Sequence, residues 1–513
     1  MKPYSLALLA ALTLFSASTP ADEFALNRQV KKVADDVSED RIKAIIQHLV
    51  AFGTRNTMSN PDAPDHGVGA ARQWILSEMK SYSPRLQVRF DKWHIKKNGQ
   101  RIFRDLDLYN VVAVLPGKTM PETQVIVSGH YDSLNLGAQR PGAAAAGPGS
   151  DAPPAAIGER PAQSNWEANA ELPAPGACDD GSGTAATMEL ARVMSQYEFD
   201  KTLVFIAFAG EEQGLVGSTL EAAKAKEDKI EIEAVLNNDI IGTDITGNGR
   251  SDSSSVSIYS DTVMDSPSQN LARYAKLMGE RYMPSMKVNI EFMQDRLGRG
   301  GDHTPFQLEG FAAVRLSTPN EIYANQHHAT DTFENMSAPY TTRVAKINAA
   351  VMASLGLSPK APAVMRLPGA GRGNGRGPNG ATDGANPQNA QNTGTGRGGR
   401  GGDAPAPQLP ATGRSPLPMV TRGAGYDAVL QWRPAGNEAA IKGYSILLRP
   451  TTAPFWEREI YVGKVTTYTF KDVSVDDVRF GVKAIGADGT ESIVSPYAYP
   501  PRLKATYDAT YFQ

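Results

Sequence analysis

The sequence predicts an α/β fold, a mostly parallel mixed sheet sandwiched by helices, followed by a separate all-β sandwich. Three observations carry this. Between residues 86 and 356, short apolar runs alternate with stretches of helical periodicity, the pattern of strands joined by crossover helices. Residues 358–418 contain no Phe, Trp or Tyr and are dense in Gly, Pro, Ala and Asn, so they divide two units. From residue 424 onward, strand-like segments recur with turns between them.

At 513 residues the chain exceeds one ordinary domain, and about 100–200 residues per domain suggest two or three. A hydrophobic content of 41% and a charged content of 21% are globular values, and a net charge of −3 argues against a nucleic-acid partner. Residues 1–21 read as a secretory signal: Lys2 is the positive n-region, Leu6–Phe15 the apolar core, and Thr19-Pro20-Ala21 the cleavage site. That core is too short for a transmembrane segment, and no later stretch approaches the ~20 apolar residues of one. The mature protein is therefore expected to be secreted or periplasmic. Cys178 is the single cysteine, which excludes an intrachain disulfide; it reads as a small buried hydrophobe.

Taken in order, residues 22–82 read as helices, with Ile42, Ile45, Ile46, Leu49 and Val50 at helical spacing and then Ala71, Trp74, Ile75 and Met79. Strands follow at Leu86–Phe90 and Leu108–Leu115, and Gln124–Ser133 reads as a buried strand that runs into a polar loop. Residues 134–177, rich in Ala, Pro and Gly, read as a flexible insert. A helix follows Asp179-Asp180-Gly-Ser-Gly183. The run Leu203–Ala209 is wholly apolar, as a strand covered on both faces must be, and Glu211-Glu212 at its carboxyl end reads as a helix start. Strands are expected at Ile232–Asn238, Ser254–Tyr259, Lys287–Phe292 and Ala312–Ser317, and helices over 266–283 and Met336–Leu355.

Residues 358–423 are a linker on composition; their Gly-Arg repeats at 371–376 and 396–401 lack the aromatics that stack on bases. Within 424–513, strands are expected at Ala428–Trp432, Gly443–Leu448, Glu459–Val462, Thr466–Phe470 and Val478–Ile485, with Asp488-Gly489 as a hairpin turn. Trp432, Tyr444 and the stretch FGVKAIGADGTES resemble a fibronectin type III domain, which implies a module that binds a surface, polysaccharide or protein.

His130, Asp179, Glu211-Glu212, Asp239 and His327-His328 all lie at the ends of expected strands. Singly, each has a bland reading: a loop histidine, a helix N-cap at Asp179 or Asp180, a turn at Asp239. Together they converge, because parallel strands deliver their carboxyl ends to one edge of the sheet. Imidazole with carboxylate and no thiolate suits zinc, with manganese or cobalt as substitutes. Two ions need about three protein ligands each, which one shared carboxylate, two histidines and two further carboxylates supply.

The segments GHYDS, CDDGSGTAA, FAGEEQGLVGS, NNDIIG, RGGDHTPF and NQHHATDT, in this order, resemble the secreted di-zinc aminopeptidase family over about residues 35–357. That family includes leucyl aminopeptidases, glutamate carboxypeptidases, glutaminyl cyclases and the inactive transferrin-receptor branch. The resemblance implies a zinc peptidase domain over residues 22–357 that holds two Zn2+ ions and acts on peptide or protein substrates. It implies that His130 binds one zinc, Asp179 bridges both, Glu212 joins one and Asp239 the other, and Glu211 is the general base. Asp132 would hydrogen-bond the far ring nitrogen of His130 and orient it. The last ligand, a histidine four residues before an Asp, is His327 by its spacing to Asp331, with the adjacent His328 left open. Asp302 and His303 are expected to be structural or substrate-facing.

The reaction so implied is peptide hydrolysis, with Glu211 taking a proton from water and giving it to the leaving amine. An exported aminopeptidase heads the list; a carboxypeptidase or glutaminyl cyclase would use the same residues. A non-catalytic adhesion protein on the same fold would have no chemical use for Glu211.

Overall fold

A computed structural model of the chain describes residues 26–99, 101–137, 165–296, 299–364, 421–422, 427–436 and 438–497. The expected signal segment, the middle of the insert and nearly all of the linker lie outside them. In space the main sheet runs β1 (Gln87–Ile95), β2 (Leu106–Leu115), β4 (Lys201–Phe208), β3 (Met120–His130), β5 (Glu231–Asn238), β8 (Ala313–Ser317), β6 (Ser255–Tyr259), β7 (Lys287–Glu291). Four of the seven pairings are parallel: β3 with β4, β3 with β5, β5 with β8, and β6 with β7. The other three are antiparallel.

Every residue of β4 is buried, Leu203–Phe208 as an unbroken apolar run and Lys201 with its ammonium on Glu233, whereas the edge strand β1 has none fully buried. Alternate residues of the central strands feed two cores. Val125, Val127, Leu203, Phe205 and Ala207 face one side, under α1 (Arg28–Asp35), α2 (Glu39–Ala51), α3 (Gly67–Tyr82), α5 (Gly181–Met194), α7 (Pro267–Tyr282) and α9 (Ala338–Leu357). Ile126, Val204, Ile206 and Phe208 face the other, under α6 (Val216–Glu227) and α8 (His303–Leu308). A short α4 (Trp166–Asn169) precedes α5.

The chain passes from β3 to β4 on one side of it and then to β5 on the other. The carboxyl end of β3 is therefore a switch point, where open α/β sheets hold their ligands.

Two local readings change. Glu211-Glu212 do not start a helix: they sit in a turn, and α6 begins at Val216 after Gly214 and Leu215 adopt positive φ of 108° and 59°. The insert is also anchored at both ends, because Leu134, Ala170, Ala174 and Ala177 are buried and Ala174 N donates to Gly53 O.

The C-terminal unit is two sheets around one core. The first has β10 (Thr421–Arg422), β11 (Ala428–Arg433) and β14 (Thr467–Phe470), with β9 (Ala363–Val364) pairing β11. The second runs β13 (Arg458–Gly463), β12 (Ile441–Pro450), β15 (Val478–Gly486), β16 (Ser495–Pro496). Trp432, Tyr444, Ile446, Phe480 and Val482 fill the space between them. This unit does not hang free of the first domain. Arg449 Nη2 donates to Asp265 Oδ1 at 2.6 Å, Arg281 Nη1 to Glu491 Oε1 at 2.7 Å, and Tyr274 OH to Glu491 O at 3.0 Å.

Candidate metal centre

The β3 run Val125–Ser128 is buried by flanking strands and helices, and it ends by projecting His130 at the sheet edge. Asp239 directly follows β5, Asp179 precedes α5, Glu211 and Glu212 follow β4, and His327 lies in the loop after β8. All meet at the carboxyl end of the sheet.

Asp179 stands between two donor groups. Its Oδ1 is 3.2 Å from His130 Nε2, and its Oδ2 is 3.1 Å from His327 Nε2. Glu212 Oε2 is 3.2 Å from His327 Nε2, and Asp239 Oδ1 is 3.8 Å from His130 Nε2. The ligand atoms of His130, Asp179 and Glu212 lie within 4.8 Å of one another, as do those of His130, Glu211 and Asp239. His130 Nε2 and Glu212 Oε1 are buried without a hydrogen-bond partner. Ligands about 2.0–2.1 Å from a tetrahedral zinc stand about 3.3 Å apart, so these separations fit one. The donor set is chemically apt and its orphaned atoms face inward. It fits zinc.

Three carboxylates behind the ligands hold main-chain amides. Asp132 Oδ1 accepts from Glu211 N and Oδ2 from Glu212 N, both at 3.3 Å, while Thr57 Oγ1 donates to Oδ2 at 3.0 Å. Asp331 accepts from Cys178 N and Asp179 N, both at 2.9 Å. Asp180 accepts from His130 N and Ile240 N. Asp132 thus does more than orient His130, and does it differently. The 3.1 Å contact of His130 Nδ1 is with the main-chain carbonyl of Asp132, and the carboxylate oxygen stands 3.5 Å away because it is turned toward the Glu211-Glu212 amides.

Two buried arginines, invisible as site residues in the sequence, offset this negative charge. Arg55 Nε donates to Tyr131 O at 2.6 Å, Nη2 to Gly176 O at 2.9 Å, and Nη1 to Leu49 O and Pro175 O. It joins the loop after His130 to the loop before Asp179. Arg315 Nη2 lies 2.9 Å from Asp239 Oδ1, and its Nη1 donates to Asp295. Gln326 Nε2 donates to Asp179 Oδ2 at 3.0 Å.

Burial pushes the half-buried Glu211 carboxyl well above the ordinary range, with Glu212, Asp239 and Asp302 adding to the rise and His130 opposing it. Asp302 and His303 are fully buried at the start of α8: burial raises Asp302 to about 7 and lowers His303 to about 4. His303 Nε2 is 2.7 Å from Gln294 O, a structural placement and not a substrate-facing one. Strain also collects here. Leu215, Ile240 and His327 adopt positive φ of 59°, 59° and 56°, and for a β-branched residue such as Ile240 that conformation is a true outlier.

Residues 110–352, which include every candidate site residue, match the model of peptidase family M28. A probable zinc metalloprotease of Pyricularia oryzae is 32% identical over 492 residues, covering 89% of this chain and 82% of that protein. The chain belongs to peptidase family M28. Another probable zinc metalloprotease, from Leptosphaeria maculans, is 29% identical and covers 92% of this chain and 96% of its own. The LapA aminopeptidase of Legionella pneumophila overlays 66% of this chain and 78% of its own at a TM-score of 0.46 and 18% identity. As an M28 member the protein is a zinc metallopeptidase, and the fungal likeness runs beyond the peptidase domain into the C-terminal sheets. No helix among the described residues is long and apolar enough to cross a membrane.

Proposed function

We propose that this M28 peptidase is an exported aminopeptidase that uses two zinc ions, with Glu211 as its proton carrier. The observation that carries the reading is the double-faced Asp179 carboxylate, one oxygen beside His130 and the other beside His327. A carboxylate between two donor groups is what a pair of ions shares. His130 and Asp239 would serve one ion, His327 and Glu212 the other, and Asp179 both.

Bound zinc polarises a peptide carbonyl and makes water a stronger acid near neutral pH. The chain's own residues do the rest. Glu211 accepts a proton from water as its oxygen attacks the carbonyl carbon. When the C–N bond breaks, the same carboxyl gives that proton to the amine. Asp132 holds the amides of both glutamates, so the base and the neighbouring ligand keep a fixed relation. A carboxypeptidase would use the same residues, and an N-blocked substrate separates the two. The C-terminal sandwich, type III-like in strand pattern, is an accessory module.

The test is hydrolysis of aminoacyl-p-nitroanilides by the full chain, stripped with a chelator and then given zinc back. Activity should vanish, return with zinc, and fail on the N-acetylated substrate. A folded chain that takes up no zinc and leaves these substrates intact would sink the reading.

A further inference from the structure

We propose that Asp180, which no step above uses, is a positioning residue that builds the His130–Asp239 half of the centre. The inference rests on the two-zinc reading. Asp180 is 0% exposed and caps α5, with Oδ1 accepting from Gly183 N at 2.8 Å. Capping uses only part of this carboxylate. Its Oδ2 accepts from His130 N at 3.1 Å, and its Oδ1 also accepts from Ile240 N at 3.2 Å and Ser182 Oγ at 3.3 Å.

One side chain therefore ties together three ligand-bearing segments: the end of β3, the residue after Asp239, and the helix start after Asp179. The backbones around it are in direct contact. A Cβ on Gly183 would lie 2.3 Å from Asn238 O and 2.4 Å from Asp180 Oδ2, and one on Gly129 would lie 2.5 Å from the Gly183 main chain. Only glycine fits at either position, so the carboxylate sits where β3, β5 and α5 close on each other.

Ile240 shows what the staple holds. Its φ of 59° survives only where the surroundings over-determine it. Asp180 holds its N–H, and Thr318 N donates to its carbonyl at 2.8 Å. The Glu212 and Asp179 amides are held by Asp132 and Asp331 instead. Loss of Asp180 should therefore loosen one half of the centre and spare the His327–Glu212 half.

Asp180→Asn makes the distinction, because Asn caps a helix as well as Asp does but turns an NH2 group toward an N–H that needs an acceptor. Wild type should hold two zinc ions per chain by elemental analysis and the variant one. One zinc Kd should rise about 10–100-fold, the other should not move, and the visible spectrum of the cobalt-loaded protein should change. Two zinc ions held by the variant with wild-type affinities would overturn the inference while leaving the two-zinc reading intact. A wild-type chain that binds fewer than two overturns both. A second measurement needs no variant: in metal-free wild type the His130 and Ile240 amides should exchange as slowly as those of β4, and rapid exchange at these two would contradict the staple.

Discussion

Glu211 and Glu212 carry the same side chain on adjacent residues, and only their surroundings separate them. Glu212 is 5% exposed with Oε2 against His327, while Glu211 stays half-buried beside His130 and Asp239. Glu211→Gln keeps the volume and leaves the main-chain bond to Asp132 in place, but it removes the proton acceptor. Zinc content should be unchanged and kcat should fall by about 10²–10⁴-fold or more, with KM little altered. Wild-type turnover in this variant would move the base elsewhere. At this scale the sequence marks six residues as ligand and base candidates because each sits in a motif, and the fold brings all six together at the carboxyl end of the sheet. Arg55 was not: in a polar loop it reads as a solvated cation, and only the fold shows its guanidinium enclosed by carbonyls from three segments.

At the scale of elements, the strands were legible wherever burial on both faces forces an apolar run, as in β3 and β4. Helix α8 was not. It is six residues long and mostly buried, so it has no polar face to set a period. In α6, Glu221 Oε2 is buried without a partner, and burial lifts its carboxyl from near 4.5 to about 7, Asp91 adding to the rise while Arg89 and Lys224 oppose it. The raised folded value means that the native state keeps a proton that the unfolded chain releases. Stability is therefore fully present below about pH 4.5 and is lost as pH rises to about 7, by on the order of 2–3 kcal/mol. Glu221→Gln should raise Tm above pH 7 and leave it unchanged at pH 4. A Tm difference independent of pH would mean that Glu221 does not hold its proton in the fold.

Across the whole molecule, composition marks a division after residue 357, but β9 and β10, both inside the stretch read as a linker, pair with β11 of the C-terminal unit, and the docking of the two units leaves no mark in the composition. The alternation of Val478, Phe480, Val482 and Ala484 marks one face of β15 as core and leaves the other to solvent. In the fold the other face is buried as well: Lys483, 1% exposed, donates to Glu459 and Glu491, and Glu491 also takes Arg281 from α7. A polar residue facing a partner across an interface has the same pattern as one facing water, so sequence periodicity cannot tell them apart. The reverse holds for the candidate metal centre, where five segments scattered over about 200 residues carry the motifs and only the sheet shows that they meet at one edge.

The claim that this centre removes residues from free N-termini is tested most directly by mass spectrometry of one peptide in three forms: both ends free, N-acetylated and C-amidated. The zinc-loaded full chain should shorten the first and third stepwise from the N-terminus and leave the second whole. Shortening from the C-terminus, or three intact peptides alongside a chain that holds its zinc, would contradict it.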